Sequence, residues 1–395
     1  MNIRKTFFWL HLILGCSAAI FIFLMSITGV ALTYERQMIK AAERTDYPIA
    51  TTSSTQVLPL SELLIIAKGY PTKKIAEIVI ENQPNAPIIV KDGRKKVAYL
   101  NPYTGAELAV PGQDTKTFFS KLRAFHRWLT FDGKFSETGR WVNGSANIIF
   151  LVLILSGLYL WLPKRFNSRA FKQRLTLSGN YPNKSARNYQ WHNVFGVYMA
   201  PVLFVLVVTA LFFSFKWPGN TLKNLVSTES FSLEKPVQVS AQQALLQLPV
   251  EQQLLKVKAR YPQWQTIQFS LGTSLDSSLD SSLDNLLENI PTNNKVYQVD
   301  QGNGGEPQKR LKVLLNKTTG DVVQEQKFEH LSTYSKLRSY IRFLHTGEIF
   351  GPFGQTLAGL ASLLACLLVY TGAMLSWRRW RDSRKVKVNT PVYAT

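Results

Sequence analysis

Four stretches of this chain contain no Lys, Arg, Asp or Glu, and each is long enough to cross a bilayer as a helix. They run from about Thr6 to Tyr34, Trp141 to Pro163, Asn188 to Phe215 and Ile349 to Trp377. A helix of roughly 20 apolar residues spans about 30 Å of hydrocarbon. The chain between them is polar, so the mean hydropathy is only −0.04. The first apolar run is too long for a secretory signal and lacks a small-x-small cleavage site, so it reads as an uncleaved anchor.

Basic residues set the expected orientation. Arg4 and Lys5 precede the first span. Lys164, Arg165, Arg169, Lys172, Arg174, Lys184 and Arg187, with no acid among them, lie between the second and third. Arg378, Arg379, Arg381, Arg384, Lys385 and Lys387 follow the fourth. These regions are expected to be cytoplasmic, with both termini inside. The loops Glu35 to Arg140 and Lys216 to Glu348 then face outward, into the periplasm of a bacterium. Much of the net charge of +21 is this topology signal. It favours anionic membrane lipid and, with no reader motif, not nucleic acid. Cys16 and Cys366 both lie within spans, outside any C-x-x-C-H motif, so a disulfide is not expected and haem could be held only non-covalently.

The two halves repeat each other. His11-Leu-Ile-Leu-Gly15 matches His192-Asn-Val-Phe-Gly196, and Thr28 matches Thr209 at the same offset. Tyr99 to Gly105 matches Leu314 to Gly320, and Phe119-Ser-Lys-Leu-Arg123 matches Tyr334-Ser-Lys-Leu-Arg338. Ser156-Gly157 matches Thr371-Gly372. Each outer loop carries one copy of a small α/β module. The first runs from a helix-like Leu60 to Lys68 through Tyr70-Pro71 to strand-like Ile75 to Ile80, Ile88 to Val90 and Val97 to Leu100. The second runs from Ala241 through Tyr261-Pro262 to Thr266 to Leu271, Val296 to Val299 and Leu311 to Leu315. Apolar alternation and an Asn-x-x-Thr-Gly turn support hairpins. A Ser-Leu-Asp repeat over 274–284 reads as a disordered acidic loop.

The expected fold is therefore an α-helical integral membrane protein: four transmembrane helices in two internal repeats, with two periplasmic α/β modules. The expected segments are 1–34 (first span), 35–118 (first module), 119–163 (interfacial helix and second span), 164–187 (basic loop), 188–215 (third span), 216–333 (second module), 334–377 (interfacial segment and fourth span) and 378–395 (basic tail).

On these residues the chain resembles the PepSY-associated transmembrane family, in the ordered repeat of helix, Tyr-Pro, strands, Thr-Gly turn, Leu-Arg-x-x-x-Arg-x-Leu segment and a span with a Ser/Thr-Gly step. The resemblance covers nearly the whole chain. It implies PepSY-like modules and likeness to inner-membrane ferric-siderophore reductases, which carry b-type haems between four helices. It also implies a ferric siderophore or other ferric chelate as electron acceptor.

Four of the five histidines lie beside spans. His11 and His192 sit at the cytoplasmic ends of the first and third, at equivalent repeat positions. His126 and His345 lie just outside the periplasmic ends of the second and fourth. They are offset by four residues in repeat register, about one helical turn. Ionisable side chains there are usually functional, and neutral imidazole is a common ligand for haem iron. The expectation is two bis-His haem b groups, His11 with His192 and His126 with His345, each clamped between helices. The plain alternative is a set of polar interfacial and surface side chains. Zinc fits poorly, because structural zinc gathers four ligands locally. His330 has no repeat partner and reads as a surface residue.

Arg123 and Arg127 match Arg338 and Arg342, each pair spaced i, i+4 on one helix face. They read either as wet interfacial charges or as partners of haem propionates or an anionic chelate. Trp128, Trp141, Trp161, Trp191, Trp377 and Trp380 at span ends suit an interfacial belt. The Gly302-Asn-Gly-Gly305 run lies between no strand and helix of nucleotide-binding type. The expected activity is electron transfer across the inner membrane to ferric iron, from a quinol or a cytoplasmic reductase. The rival expectation is a non-redox membrane protein that binds or inhibits a periplasmic protease, or senses ligand.

Overall fold

The computed structural model describes residues 3–48, 56–71, 76–93, 95–130, 133, 135–164, 166–226, 228–229, 233, 246–271 and 293–388, the last four without their side chains. The expected acidic loop over 274–284 and the start of the second module, 241–245, lie outside the described residues.

In chain order the elements are α1 (Ile3–Leu32), α2 (Glu35–Thr45), α3 (Leu60–Lys68), β1 (Ala76–Glu81), β2 (Ile88–Asp92), β3 (Lys95–Leu100), α4 (Gln113–Trp128), α5 (Ser136–Trp161), α6 (Ser168–Leu175), α7 (Lys184–Ser214), α8 (Trp217–Leu225), α9 (Val250–Arg260), β4 (Thr266–Ser270), β5 (Asn294–Asp300), β6 (Arg310–Asn316), β7 (Val322–Lys327), α10 (Thr333–His345) and α11 (Gly351–Val388). They form two compact units. One is Met1–Glu35, Thr117–Leu225 and Tyr340–Thr395; the other is Arg36–Lys116 and Val226–Ser339.

The first unit holds the four helices long and apolar enough to cross a membrane, within Ile3–Leu32, Ser136–Trp161, Lys184–Ser214 and Glu348–Arg384. They pack in a closed ring: α1 on α5, α5 on α7, α7 on α11, and α11 back on α1. This leaves α1 and α7 facing each other across one diagonal. Glycines set the closest approaches. A Cβ at Gly144 would come within 2.9 Å of Ser214, and one at Gly359 within 2.7 Å of Thr33. Gly15 touches Leu153, and Gly196 touches Leu368 in the same way. Equivalent residues of α1 and α7 are 181 positions apart, and those of α5 and α11 are 215 apart. The same contacts thus recur in both halves. Ile154, Ala200, Leu203, Val207, Ala361 and Ala365 fill the interior. Ile13, Ile20, Leu155 and Leu363 stay exposed, as side chains facing lipid would.

The second unit corrects one expectation. The strands of the two loops form one antiparallel sheet in the order β3-β2-β1-β4-β5-β6-β7, not two separate ones. The join is β1 to β4, with Ile78 opposite Phe269 and Ile80 opposite Ile267. β4 alternates apolar and polar residues, and this register sets its Ile267 and Phe269 against Ile80 and Ile78 on one face of β1. Pairing also removes two open strand edges. Gln268 ties the seam, accepting from Lys91 at 2.9 Å and donating to Glu77 at 2.8 Å. Leu63, Ala67 and Leu254, Val257 bring α3 and α9 onto a core that includes Ile78, Val90, Phe269 and Tyr297.

The Asn-x-x-Thr-Gly turns are equivalent in both copies. Gly105 (φ 71°) and Gly320 (φ 72°) take the left-handed conformation that glycine allows. Their N–H groups donate to Asn101 and Asn316 at 2.9 and 2.8 Å. Strand β7 follows the second turn and had no sequence signal. Its counterpart after the first turn is only a bridge, Leu100 to Glu107.

Candidate functional site

The fold brings the four span-end histidines together in the expected pairs. The ring centroids of His11 on α1 and His192 on α7 lie 6.4 Å apart, at an interplanar angle of 88°. Those of His126 on α4 and His345 on α10 also lie 6.4 Å apart, at 55°. Two imidazoles on opposite sides of one metal, with metal–nitrogen bonds of about 2.1 Å, place their centroids about 6.4 Å apart. The one-turn stagger of His126 and His345 in repeat register does not separate them.

The two pairs occupy opposite ends of the bundle. His11 and Thr28 lie seventeen residues apart on α1, about 25 Å at the helical rise. Thr28 in turn touches His126. His192 and Thr209 bear the same relation on α7, and Thr209 touches His345.

Each ring is held through Nδ1 by a hydroxyl from another helix. Nδ1 of His11 lies 2.9 Å from Ser156 Oγ, and that of His192 lies 2.9 Å from Thr371 Oγ1. Nδ1 of His126 lies 2.8 Å from Thr28 Oγ1, and that of His345 lies 3.1 Å from Thr209 Oγ1. None of these four hydroxyls was singled out as a histidine partner by sequence. The signal was present, because all four mark the repeat and each precedes a small residue: Gly157, Gly372, Gly29 and Ala210. Glycine makes room for the ring. A Cβ at Gly157 would lie 3.2 Å from His11 Cε1, one at Gly372 3.4 Å from His192 Cε1, and one at Gly29 3.7 Å from His126 Cε1.

Asn143 of α5 fixes the end of α4. Its amide donates to the carbonyls of His126 at 2.8 Å and Arg127 at 3.2 Å. These are carbonyls that a helix C-terminus leaves unpaired. Phe213 packs on His345 with centroids 5.3 Å apart. Burial lowers the His126 pKa to about 4, with His345 the next cause, and burial also lowers that of His345. Both are therefore neutral at neutral pH, the state in which imidazole binds a metal.

The arginines divide. Arg127 lies over the Trp128 ring at 5.0 Å. Its pKa is lowered by burial first, then by Arg123, Arg140 and Arg342. The positive charges of Arg123, Arg140 and Arg342 thus all act on Arg127, which follows His126 in α4, and Arg140 is the one among them that the sequence did not single out. Arg123 pairs with Glu35. Arg338 belongs to the other unit, where its guanidinium is exposed and reaches Tyr334 Oη at 3.5 Å. His330 is likewise exposed in that unit, with Lys327 N–H donating to its Nδ1 at 3.3 Å.

Four membrane-length helices define a multi-pass membrane protein. Residues 8–379 match the PepSY-associated TM region, and the chain belongs to that family. No curated protein matches the chain.

Proposed function

We propose that this is an inner-membrane haem protein that passes electrons outward to ferric iron held in a chelate, such as a ferric siderophore. The observation that carries this reading is the recurrence of one spacing, two imidazole centroids 6.4 Å apart, at both ends of one bundle. His11 with His192, and His126 with His345, would each hold one haem b. A haem iron ligated on both sides supplies one-electron exchange and no open position for oxygen. The basic flanks favour a cytoplasmic His11 end and cytoplasmic termini, where a quinol or a cytoplasmic reductase would deliver electrons. The sheet unit, a PepSY-like pair of modules joined edge to edge, then lies in the periplasm. Reducing Fe(III) to Fe(II) there by one electron weakens its hold on hard oxygen ligands and releases it. Arg127, Arg140 and Arg342 would hold anionic groups beside the outward pair, propionates or the chelate itself.

The protein in proteoliposomes, with a reductant enclosed and ferric chelate outside, should produce ferrous iron captured by an external chromogenic chelator. Protein-free vesicles should not. Equal rates in both would overturn the assignment.

The arginines give a second test. Removing a cation near a haem favours its oxidised, more cationic state, so Arg127→Gln should lower one midpoint potential by a few tens of millivolts and leave the other unchanged. Arg123→Gln should shift it less, because Glu35 already compensates Arg123. A redox titration in which Arg127→Gln matches the wild type would return these residues to solvated interfacial charge.

A further inference from the structure

We infer that Ser156, Thr371, Thr28 and Thr209 are positioning residues, each seating one histidine with its proton on Nδ1 so that Nε2 is presented bare to a metal. The inference rests on the haem reading only for what Nε2 meets. A hydroxyl has one proton to give. Ser156 gives its own to Val152 O at 2.7 Å, and Thr371 to Leu367 O at 2.9 Å. Thr28 gives its own to Leu24 O, and Thr209 to Val205 O, both at 2.6 Å. With that proton committed, each oxygen can only accept from the imidazole 2.8–3.1 Å away. Nδ1 must then be the donor, and the tautomer is fixed.

Hydroxyls in membrane helices often bond back to the carbonyl one turn earlier and do nothing more. Here all four are buried, at 0–8 % exposure, and all four meet a histidine from another element. Each is followed by glycine or alanine, which leaves the ring room to lie against the helix. Three rings have a second acceptor: Leu206 O for His345 at 3.0 Å, Met25 O for His126 and Leu368 O for His192. A carbonyl only accepts, and at His345 the nitrogen it faces is Nδ1, so there it enforces the same tautomer. His11 has Ser156 alone among the described hydrogen bonds. Ser156 is therefore the decisive position, and an outer partner of this kind is what orients a metal-bound imidazole.

The test is nitrogen NMR of the full chain, labelled with 15N-histidine, produced without haem and held in lipid nanodiscs. Wild type should show His11, His126, His192 and His345 as Nδ1–H tautomers. Ser156→Ala should shift the His11 tautomer equilibrium toward Nε2–H by about fivefold, as loss of one ordinary hydrogen bond does, and leave the other three in place. Ser156→Thr should restore it. Nε2–H signals from wild-type His11, or an unchanged His11 tautomer in Ser156→Ala, would overturn the inference. The wild-type spectrum decides even where a variant fails to fold. Chain from haem-replete cells separates the two readings. A colourless protein with the expected tautomers sinks the haem and keeps the positioning role; a coloured protein with the wrong tautomers does the reverse.

Discussion

His11→Ala and His192→Ala should each leave the purified protein with one haem where the wild type carries two, and the double variant should retain that same one. The two rings belong to helices on a bundle diagonal and lie with centroids 6.4 Å apart. On this reading, losing either ring would leave a single imidazole to hold the group that the pair would share. The remaining haem should keep its midpoint potential, because the other histidine pair lies about 25 Å away along α1 and α7. Quantifying haem per polypeptide and titrating each variant checks this. Single variants that deplete different haems would show that His11 and His192 do not share an iron.

His345→Ala should abolish reduction of external ferric chelate, a loss of at least about 100-fold, since even partners outside the ligand set cost 10–100-fold at metal sites. His345 lies in the pair proposed to face outward, held by Thr209 and the Leu206 carbonyl and packed on Phe213. With that pair broken, an electron entering at the His11 end has no relay to the far side. The inner haem should still be reduced from the cytoplasmic face. His330→Ala is the matched control: it changes an exposed histidine of the other unit and should leave the rate unaltered. Ferric reduction by His345→Ala at the wild-type rate would remove the outward pair from the path.

The four spans were legible because a stretch of more than twenty residues without charge has few alternatives. The histidine pairs were legible because the offset that aligns His11 with His192 also aligns Thr28 with Thr209, so depth could be read before any contact was known. What could not be read was what depends on side-chain direction across helices. Ser156, Thr371, Thr28 and Thr209 looked like markers of the repeat, because a hydroxyl in an apolar helix is ordinary until a histidine is seen to face it. Arg140 was invisible because it comes from the start of α5, not from the α4 face that carries Arg123 and Arg127. The edge between β1 and β4 was missed for a similar reason. Each loop alone carried the pattern of a complete small module, and strand alternation does not say which edge stays open. The bridge at Leu100 and Glu107, against the full strand β7 in the other half, reflects divergence of two otherwise parallel turns.

The pyridine haemochrome spectrum of the wild-type chain, purified from haem-replete cells and referred to its polypeptide concentration, tests the central claim most directly. Two haem b per polypeptide is the predicted result. A colourless preparation would contradict it and leave the facing histidines as polar contacts within a membrane bundle.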